Sequence, residues 1–210
     1  MKEYHKIETL FERDQKTKKL IEGKFRNVTV EFLQNNMWDF TEKIDGTNIR
    51  ILWDGHKVTF AGRTDRAQIP AELSNRLFEL FGGETNEQLF EQKFGKTEVM
   101  LCGEGYGPKI QNGGLYRDNQ DFILFDVMIA GNWQPRESVE DIAKYFGIDI
   151  VPIIFTGTIY EGIDYVKTKP DSKIGTAKSE GLVGRPMIEM QDRTGNRVIV
   201  KIKVRDFRED

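Results

Sequence analysis

Residues 47–61 carry a regular alternation of apolar and polar positions. Ile49, Ile51 and Trp53 alternate with Arg50 and Leu52, and Val58 and Phe60 resume the period after Asp54-Gly55. A period of two broken by Asp-Gly predicts a β-hairpin over 47–61. The pattern then lengthens. Leu73, Leu77, Phe78 and Leu80 follow Pro70 at helical spacing, which predicts a short amphipathic helix over 71–80, closed by Gly82-Gly83. A second helix fits 86–94, with Leu89, Phe90 and Phe94 on one side. A third starts at Pro135 and Ser138, turns Ile142, Tyr145 and Phe146 inward, and ends at Gly147. Residues 97–102, 121–129 and 151–155 read as strands, and 180–190 with 197–204 as a last hairpin around Asp192–Asn196. The polar residues 1–30 read as an extended lead-in anchored by Tyr4, Ile7 and Leu10, with Val28 and Val30 starting a strand. Residues 160–179 read as loop or mixed structure.

Antiparallel hairpins with helices inserted between them predict an α+β fold, not a doubly wound parallel sheet. No repeat, low-complexity tract or linker divides the chain, so 1–210 is expected to be a single domain. With 210 residues it can bury a substantial core. Hydrophobic residues make up 38%, charged residues 31%, and the mean hydropathy is −0.53, as expected of a soluble protein. No apolar run approaches the roughly 20 residues of a membrane span. The first twenty residues lack an apolar signal core, which points to a cytoplasmic location. Cys102 is the only cysteine, so an intramolecular disulfide and a cysteine metal cluster are excluded. His5 and His56 alone argue against a histidine zinc site or a catalytic triad.

The net charge is −3, but the charges are unevenly placed. Arg13, Lys16, Lys18, Lys19, Lys24 and Arg26 form one basic cluster; Arg193, Arg197, Lys201, Lys203, Arg205 and Arg208 form another. Either could bind phosphates on a net-acidic protein. A solvated surface is an equally good reading of the first. In the second, Lys201 and Lys203 lie two apart in a strand pattern, so they share one face while Val200, Ile202 and Val204 take the other.

The candidate chemistry centres on TEKIDGTNIR, residues 41–50. Lys43 stands just ahead of the hairpin in a Lys-Ile-Asp-Gly-Thr-Asn turn, where Gly46 would let backbone approach a ligand closely. A lysine so held can serve as a covalent nucleophile if neighbouring cations keep part of it neutral. Four further segments put polar or aromatic groups where a strand does not need them. They are Gly62-Arg63-Thr64; Gly103-Glu104-Gly105 with the run Phe122 to Val127; Glu180 to Pro186; and Lys201-Ile202-Lys203. Phe125 suits either an aromatic ring stacked on a ligand or plain core packing, and Arg63 either a ligand contact or a surface arginine.

The order and intervals of these five segments resemble the covalent nucleotidyltransferase superfamily of ATP-dependent DNA ligases, RNA ligases and mRNA capping enzymes. The Lys-Ile-Asp-Gly-Thr-Asn and Phe-x-x-Phe-Asp-Val runs look most like its RNA ligase 2-like branch, common among phages. The resemblance implies an ATP-grasp-like adenylation domain of antiparallel sheets flanked by helices. It also implies a reaction. A lysine attacks the α-phosphate of ATP, AMP passes to a 5′-phosphate end, and a 3′-hydroxyl displaces it to seal RNA. Carried over residue by residue, it makes Lys43 the nucleophile and places Lys201 and Lys203 on the triphosphate. Glu42, Asn48, Arg63, Glu104 and Phe125 join the nucleotide contacts, Glu104 on the ribose and Phe125 on the adenine. Glu180 falls to Mg²⁺ or Mn²⁺, and Asp45 to a supporting place beside the site. A free lysine has a pKa near 10.4, so nearby cations are expected to lower that of Lys43.

Two features depart from the family pattern. Arg185 stands where relatives often have lysine. The sequence also stops within ten residues of Lys201, without room for the OB-fold or helical module that such ligases carry. The expected substrate is RNA or a nicked duplex, handled by a minimal ligase or by one with a partner protein that grips the substrate, in a bacterial or phage-infected cytoplasm. A minimal DNA ligase and a non-catalytic nucleotide- or nucleic-acid-binding module are the alternatives.

Overall fold

A computed structural model describes residues 3–207. In chain order the first elements are β1 (Glu8–Thr9), β2 (Phe11–Arg13), β3 (Leu20–Phe25), α1 (Val28–Phe32) and β4 (Trp38–Glu42). Next come β5 (Thr47–Trp53), β6 (Val58–Gly62), α2 (Ala71–Phe81), α3 (Gly83–Phe94), β7 (Val99–Tyr106), β8 (Asp121–Ile129) and β9 (Asn132–Trp133). The last are α4 (Arg136–Phe146), β10 (Asp149–Ile150), β11 (Ile153–Gly157), α5 (Ile159–Lys167), β12 (Gly181–Pro186) and β13 (Val200–Lys203).

These elements group into two compact units. A central unit takes Asp45–Val151 together with the N-terminal residues up to His5; a flanking unit takes Lys6–Ile44 and the chain from Pro152 onward. Each has its own sheet and its own hydrophobic core, and the chain passes between them without a linker that composition could reveal. Both sheets are mainly antiparallel, as an α+β fold requires, with short parallel pairings at β1–β13 and β10–β8.

In the central unit the sheet order is β10-β8-β7-β5-β6, and β9 pairs with β8. The predicted hairpin is there as β5 and β6, with Trp53 opposite Val58. Its connection is four residues long: the Asp54 carboxylate accepts the His56 and Lys57 N–H groups, and Gly55 takes φ +96°. Ile49, Ile51 and Trp53 face a core built with Leu73, Leu77 and Phe81 of α2, Phe90 of α3, and Val139, Ile142 and Ala143 of α4. Two residues expected inward are not. Phe78 is exposed and lies over Gly82 at the end of α2, and Tyr145 is turned outward with Lys93 over its ring. In each case the helix already buries a full stripe at i, i+4 and i+8 or i+3 and i+4, and the extra aromatic falls beside it.

In the flanking unit the sheet order is β1-β13-β12-β4-β11, and β2 with β3 forms a separate hairpin. Its core gathers Trp38 and Phe40 of β4, Ile159, Ile163 and Val166 of α5, and Leu182, Val200 and Ile202. Two local expectations fail here. Val28 and Val30 do not begin a strand: the Asn27 side chain accepts the Thr29 and Val30 N–H groups and starts α1. Residues 160–167 are not loop but the body of α5. Thr158 and Glu161 form a capping box, and Ile159, Ile163 and Val166 repeat at helical spacing. The final hairpin does form, with Leu182 opposite Ile202, and the Asp192 carboxylate gathers the turn at 192–196. Among the described residues no helix is long and apolar enough to cross a membrane.

Phe90 is wholly buried and touches the rings of Trp53, Phe81, Phe94 and Phe146. Phe90→Ala should therefore cost about 3–5 kcal/mol, read as a lower urea midpoint for the central unit.

Candidate active site

In the flanking unit, three neighbouring strands converge on one carboxylate. Lys43 follows β4 directly, and its N–H donates to the carbonyl of Gly181 at 3.0 Å, extending the pairing of β4 with β12. Glu180 precedes β12, and Lys203 lies opposite Gly181 at the end of β13. Lys43 Nζ donates to Glu180 Oε2 at 2.5 Å, and Lys203 Nζ donates to Glu180 Oε1. All three side chains are mostly buried. Gly181 makes this possible: its φ is +147°, and a Cβ there would run into the carbonyl oxygen of Ile202. Burial raises the Glu180 pKa, but the adjoining Lys43 and Lys203 charges and hydrogen bonds outweigh it, so the carboxyl stays below its ordinary value.

Lys201 points to the same side as Lys203, as the alternation predicts, while Val200 and Ile202 are buried opposite. Among the described residues it forms no ion pair. Burial, then repulsion from Lys203 and Lys43, lowers its pKa to about 8. Lys43 and Lys203 thus share one carboxylate, Lys201 stands close enough to be repelled by both, and the attraction of Glu8 offsets only part of that. Glu42 is a second incomplete group. It is 2% exposed; Oε2 accepts the Lys173 N–H at 2.8 Å, whereas Oε1 has no hydrogen-bond partner. A buried acceptor left so costs about 1–3 kcal/mol, and a ligand N–H would satisfy it.

In the central unit, Asn48 and Glu104 stand opposite each other across β5 and β7, on the face away from the helices. The Asn48 Oδ1 is buried and lacks a partner. Glu104 lies between glycines because the other face has no room: a Cβ on Gly103 would meet the Phe122 ring, and one on Gly105 would meet Leu73. Gly46 proves to be a packing residue too. Its Cβ would collide with the Gly105 carbonyl and come within 2.7 Å of the Glu104 side chain, so the close approach is to β7 and not to open space for a ligand. The Asp45 carboxylate accepts from Asn112 Nδ2 at 2.8 Å, and its N–H donates to the Tyr116 hydroxyl at 3.3 Å.

Phe125 occupies a β-bulge. Cys102 pairs with Asp126 and Gly103 with Leu124, which leaves Phe125 as the extra residue. The bulge turns its half-buried ring away from the core that holds Phe122, Leu124 and Val127. Tyr4 meets that ring edge-on at 5.3 Å and donates its hydroxyl to the buried Asp126 carboxylate at 2.6 Å. The sequence marks Tyr4 as an anchor, but no local pattern could have named its partner, 122 residues away. Arg63 is exposed just past β6.

Half of the first basic cluster is paired with acids: Arg13 with Asp206 at 2.6 Å, Lys24 with Glu12 at 2.7 Å and Arg26 with Glu8 at 2.9 Å. In the second, Arg197 is tied to Glu189, and Arg208 lies outside the described residues.

The position of Lys201 has a measurable consequence. Its folded pKa lies below the unfolded value, so the unfolded chain binds more protons between about pH 8 and 10.5. Stability therefore rises with pH over that window, and at pH 7 the charged lysine is a cost. Lys201→Met should raise the Tm of the ligand-free protein at pH 7 by roughly 2–4 °C, after discounting what solvent screens. The gain should fade as the pH climbs past 8 towards 10.5 in thermal melts.

The profile of the RNA ligase family matches residues 37–203, which hold both lysine segments, Glu104 and Glu180. Comparison with curated proteins gave no match. Among solved structures, a variant of Naegleria gruberi RNA ligase with ATP and Mn superposes with a TM-score of 0.66 at 16% identity, covering 97% of this chain and 56% of that one. Another variant of the same protein, with AMP and Mn, gives a TM-score of 0.64 at 17% identity, covering 84% of this chain and 52% of that one. This chain thus spans about half the length of the solved structures it matches. At such identities the likeness concerns the fold, while the family match covers most of the sequence: the chain belongs to the RNA ligase family.

Proposed function

We propose that this chain is the adenylation domain of an ATP-dependent RNA ligase, with Lys43 as the residue that takes AMP from ATP. The observation that carries the reading is the lysine-rich cluster around Glu180. Lys43 and Lys203 share its two oxygens, and Lys201 adds a charge without an ion pair. An array of cations with one carboxylate suits a polyphosphate far better than solvent or an apolar partner. Glu42 Oε1 and Asn48 Oδ1, both buried without partners, suit the donors of a nucleotide. The ATP and Mn bound in the Naegleria structures support the same choice of ligand.

The chemistry assigned to these residues is nucleotidyl transfer. The Lys43 amine, once freed of its proton to solvent, attacks the α-phosphorus. A nitrogen–phosphorus bond forms as the bond to pyrophosphate breaks, and the AMP then moves to a 5′-phosphate end. The adjacent 3′-hydroxyl attacks that end, joining the strands and releasing AMP. Catalysis is mainly positioning and charge neutralisation. Lys201 and Lys203 are assigned to the phosphates, where they stabilise charge on the leaving pyrophosphate. Arg63, Glu104 and Phe125 are assigned to the nucleotide, with Glu104 on the ribose hydroxyls and Phe125 against the base. Among the described residues no group of three or more histidine, cysteine or acidic side chains forms a metal cage. A divalent ion held at Glu180, its shell completed by water and phosphate oxygens, would supply further positive charge and compete with Lys43 for the carboxylate. RNA as the substrate, RNA repair as the task and a cytoplasmic setting in a bacterium or phage-infected cell complete the proposal.

Incubation with α-labelled ATP and Mg²⁺ should leave label on the protein in a denaturing gel, and Lys43→Ala should abolish it. Label that survives this change would remove the assigned nucleophile. Lys203→Ala should slow adduct formation by roughly 10²–10³. On nicked duplexes, a 3′ end bearing a 2′-hydroxyl should be sealed in preference to a deoxy end, the one group by which RNA differs there.

A further inference from the structure

We propose that Arg50 is a positioning residue, which fixes Arg63 by holding the chain on either side of it, at Gly62 and at Asp65. The inference rests on the reading of Arg63 as a nucleotide contact. Arg50 lies in the middle of β5, is 0% exposed, and occupies a slot where the alternation of the strand asks only for a residue off the helix-facing side. A guanidinium taken wholly out of water is expensive unless its donors are matched. Here Nε donates to the Gly62 carbonyl at 2.7 Å, and Nη2 donates to Asp65 Oδ1 at 2.6 Å. Those two partners bracket Arg63 in sequence.

Gly62 is also held by its pairing with Ile49 in the sheet, but beyond it the loop has few other ties among the described residues. Arg63, Asp65 and Arg66 are exposed and Thr64 is half-buried, so no apolar side chain between Gly62 and Ala67 anchors it in the core. Its other ties are light. The Ala67 N–H donates to the Thr64 carbonyl at 3.1 Å, and the Asp65 N–H donates to Glu3 Oε1 at 3.4 Å. The chain also folds back tightly, since a Cβ on Gly62 would lie 2.6 Å from that of Ala67. Asp65 itself has a side chain 72% exposed. The ion pair therefore runs from a fixed, buried base to the tip of a surface loop. A planar guanidinium can address two acceptors in fixed directions at once, which an ammonium cannot. Arg50 thus acts as a bracket on Arg63 without itself touching the nucleotide.

The test compares adduct formation from ATP in the wild type, Arg50→Met, Asp65→Ala, Arg63→Ala and the double variant Asp65→Ala/Arg63→Ala. Asp65→Ala changes only a surface side chain, so it stands in if Arg50→Met does not fold. Each of Arg50→Met and Asp65→Ala should raise the KM for ATP by roughly ten- to a hundredfold, the scale of a small misplacement. The double variant should be no worse than Arg63→Ala, because both changes act through one side chain. Trypsin should cut after Arg63 or Arg66 faster in Arg50→Met and Asp65→Ala, with an unchanged near-UV spectrum. Additive losses in the double variant, a wild-type KM in a loosened loop, or a cleavage rate like that of the wild type would each overturn the inference. A wild-type protein that forms no adduct would instead refute the ligase reading, and the trypsin comparison would then decide alone whether Arg50 holds the loop.

Discussion

The flanking unit is organised by a charge imbalance. One carboxylate, Glu180, is shared between the ammonium groups of Lys43 and Lys203, while Lys201 stands close enough to feel both and, among the described residues, forms no ion pair. Burying such a group costs free energy that a protein without a ligand does not recover. The backbone is committed to it nonetheless. β4, β12 and β13 are paired in continuous register, and Gly181 admits the Ile202 carbonyl where any side chain would block it. The hydrophobic halves of these strands, Leu182, Val200 and Ile202, lie in the core beneath α5 and hold the polar halves rigid. Stability of the core is thus what keeps like charges together.

The central unit solves a different problem with steric means. Its sheet must pack three helices against one face and present polar groups on the other. Gly103 and Gly105 let Phe122 and Leu73 press against β7, and Glu104 between them is forced outward, level with Asn48. A bulge at Phe125 breaks the alternation of β8 so that one ring leaves the core while its neighbours remain. The buried pair Tyr4–Asp126 and the buried Arg50 then stabilise that polar face from within the sheet and from the start of the chain. Most polar groups in such places have partners; among the described residues of this unit the side-chain oxygens that do not are Asn48 Oδ1 and Gln120 Oε1.

Much of this was legible in one dimension. Hairpins and helices declare themselves by period: β5–β6, α2, α3, α4 and β12–β13 all lie where alternation or helical spacing puts them. The Lys201/Lys203 face follows from the same rule. Where periodicity was thin, reading failed in both directions. α1 is only five residues long and starts on an asparagine cap, and its valines look like a strand. α5 carried a capping box and an apolar stripe that a loop-like composition around it obscured.

The sequence by itself determined the fold class, the family and the identity of the charged residues, because periodicity and short ordered motifs are local properties of the chain. Tertiary structure alone decided which of those charges meet. The pairing of Lys43 with Glu180 spans 137 residues, that of Tyr4 with Asp126 spans 122, and the turning-out of Phe125 depends on a register shift against β7. Such encounters are set by strand register and by the volume left between packed side chains, and neither is written in the spacing of residues along the chain.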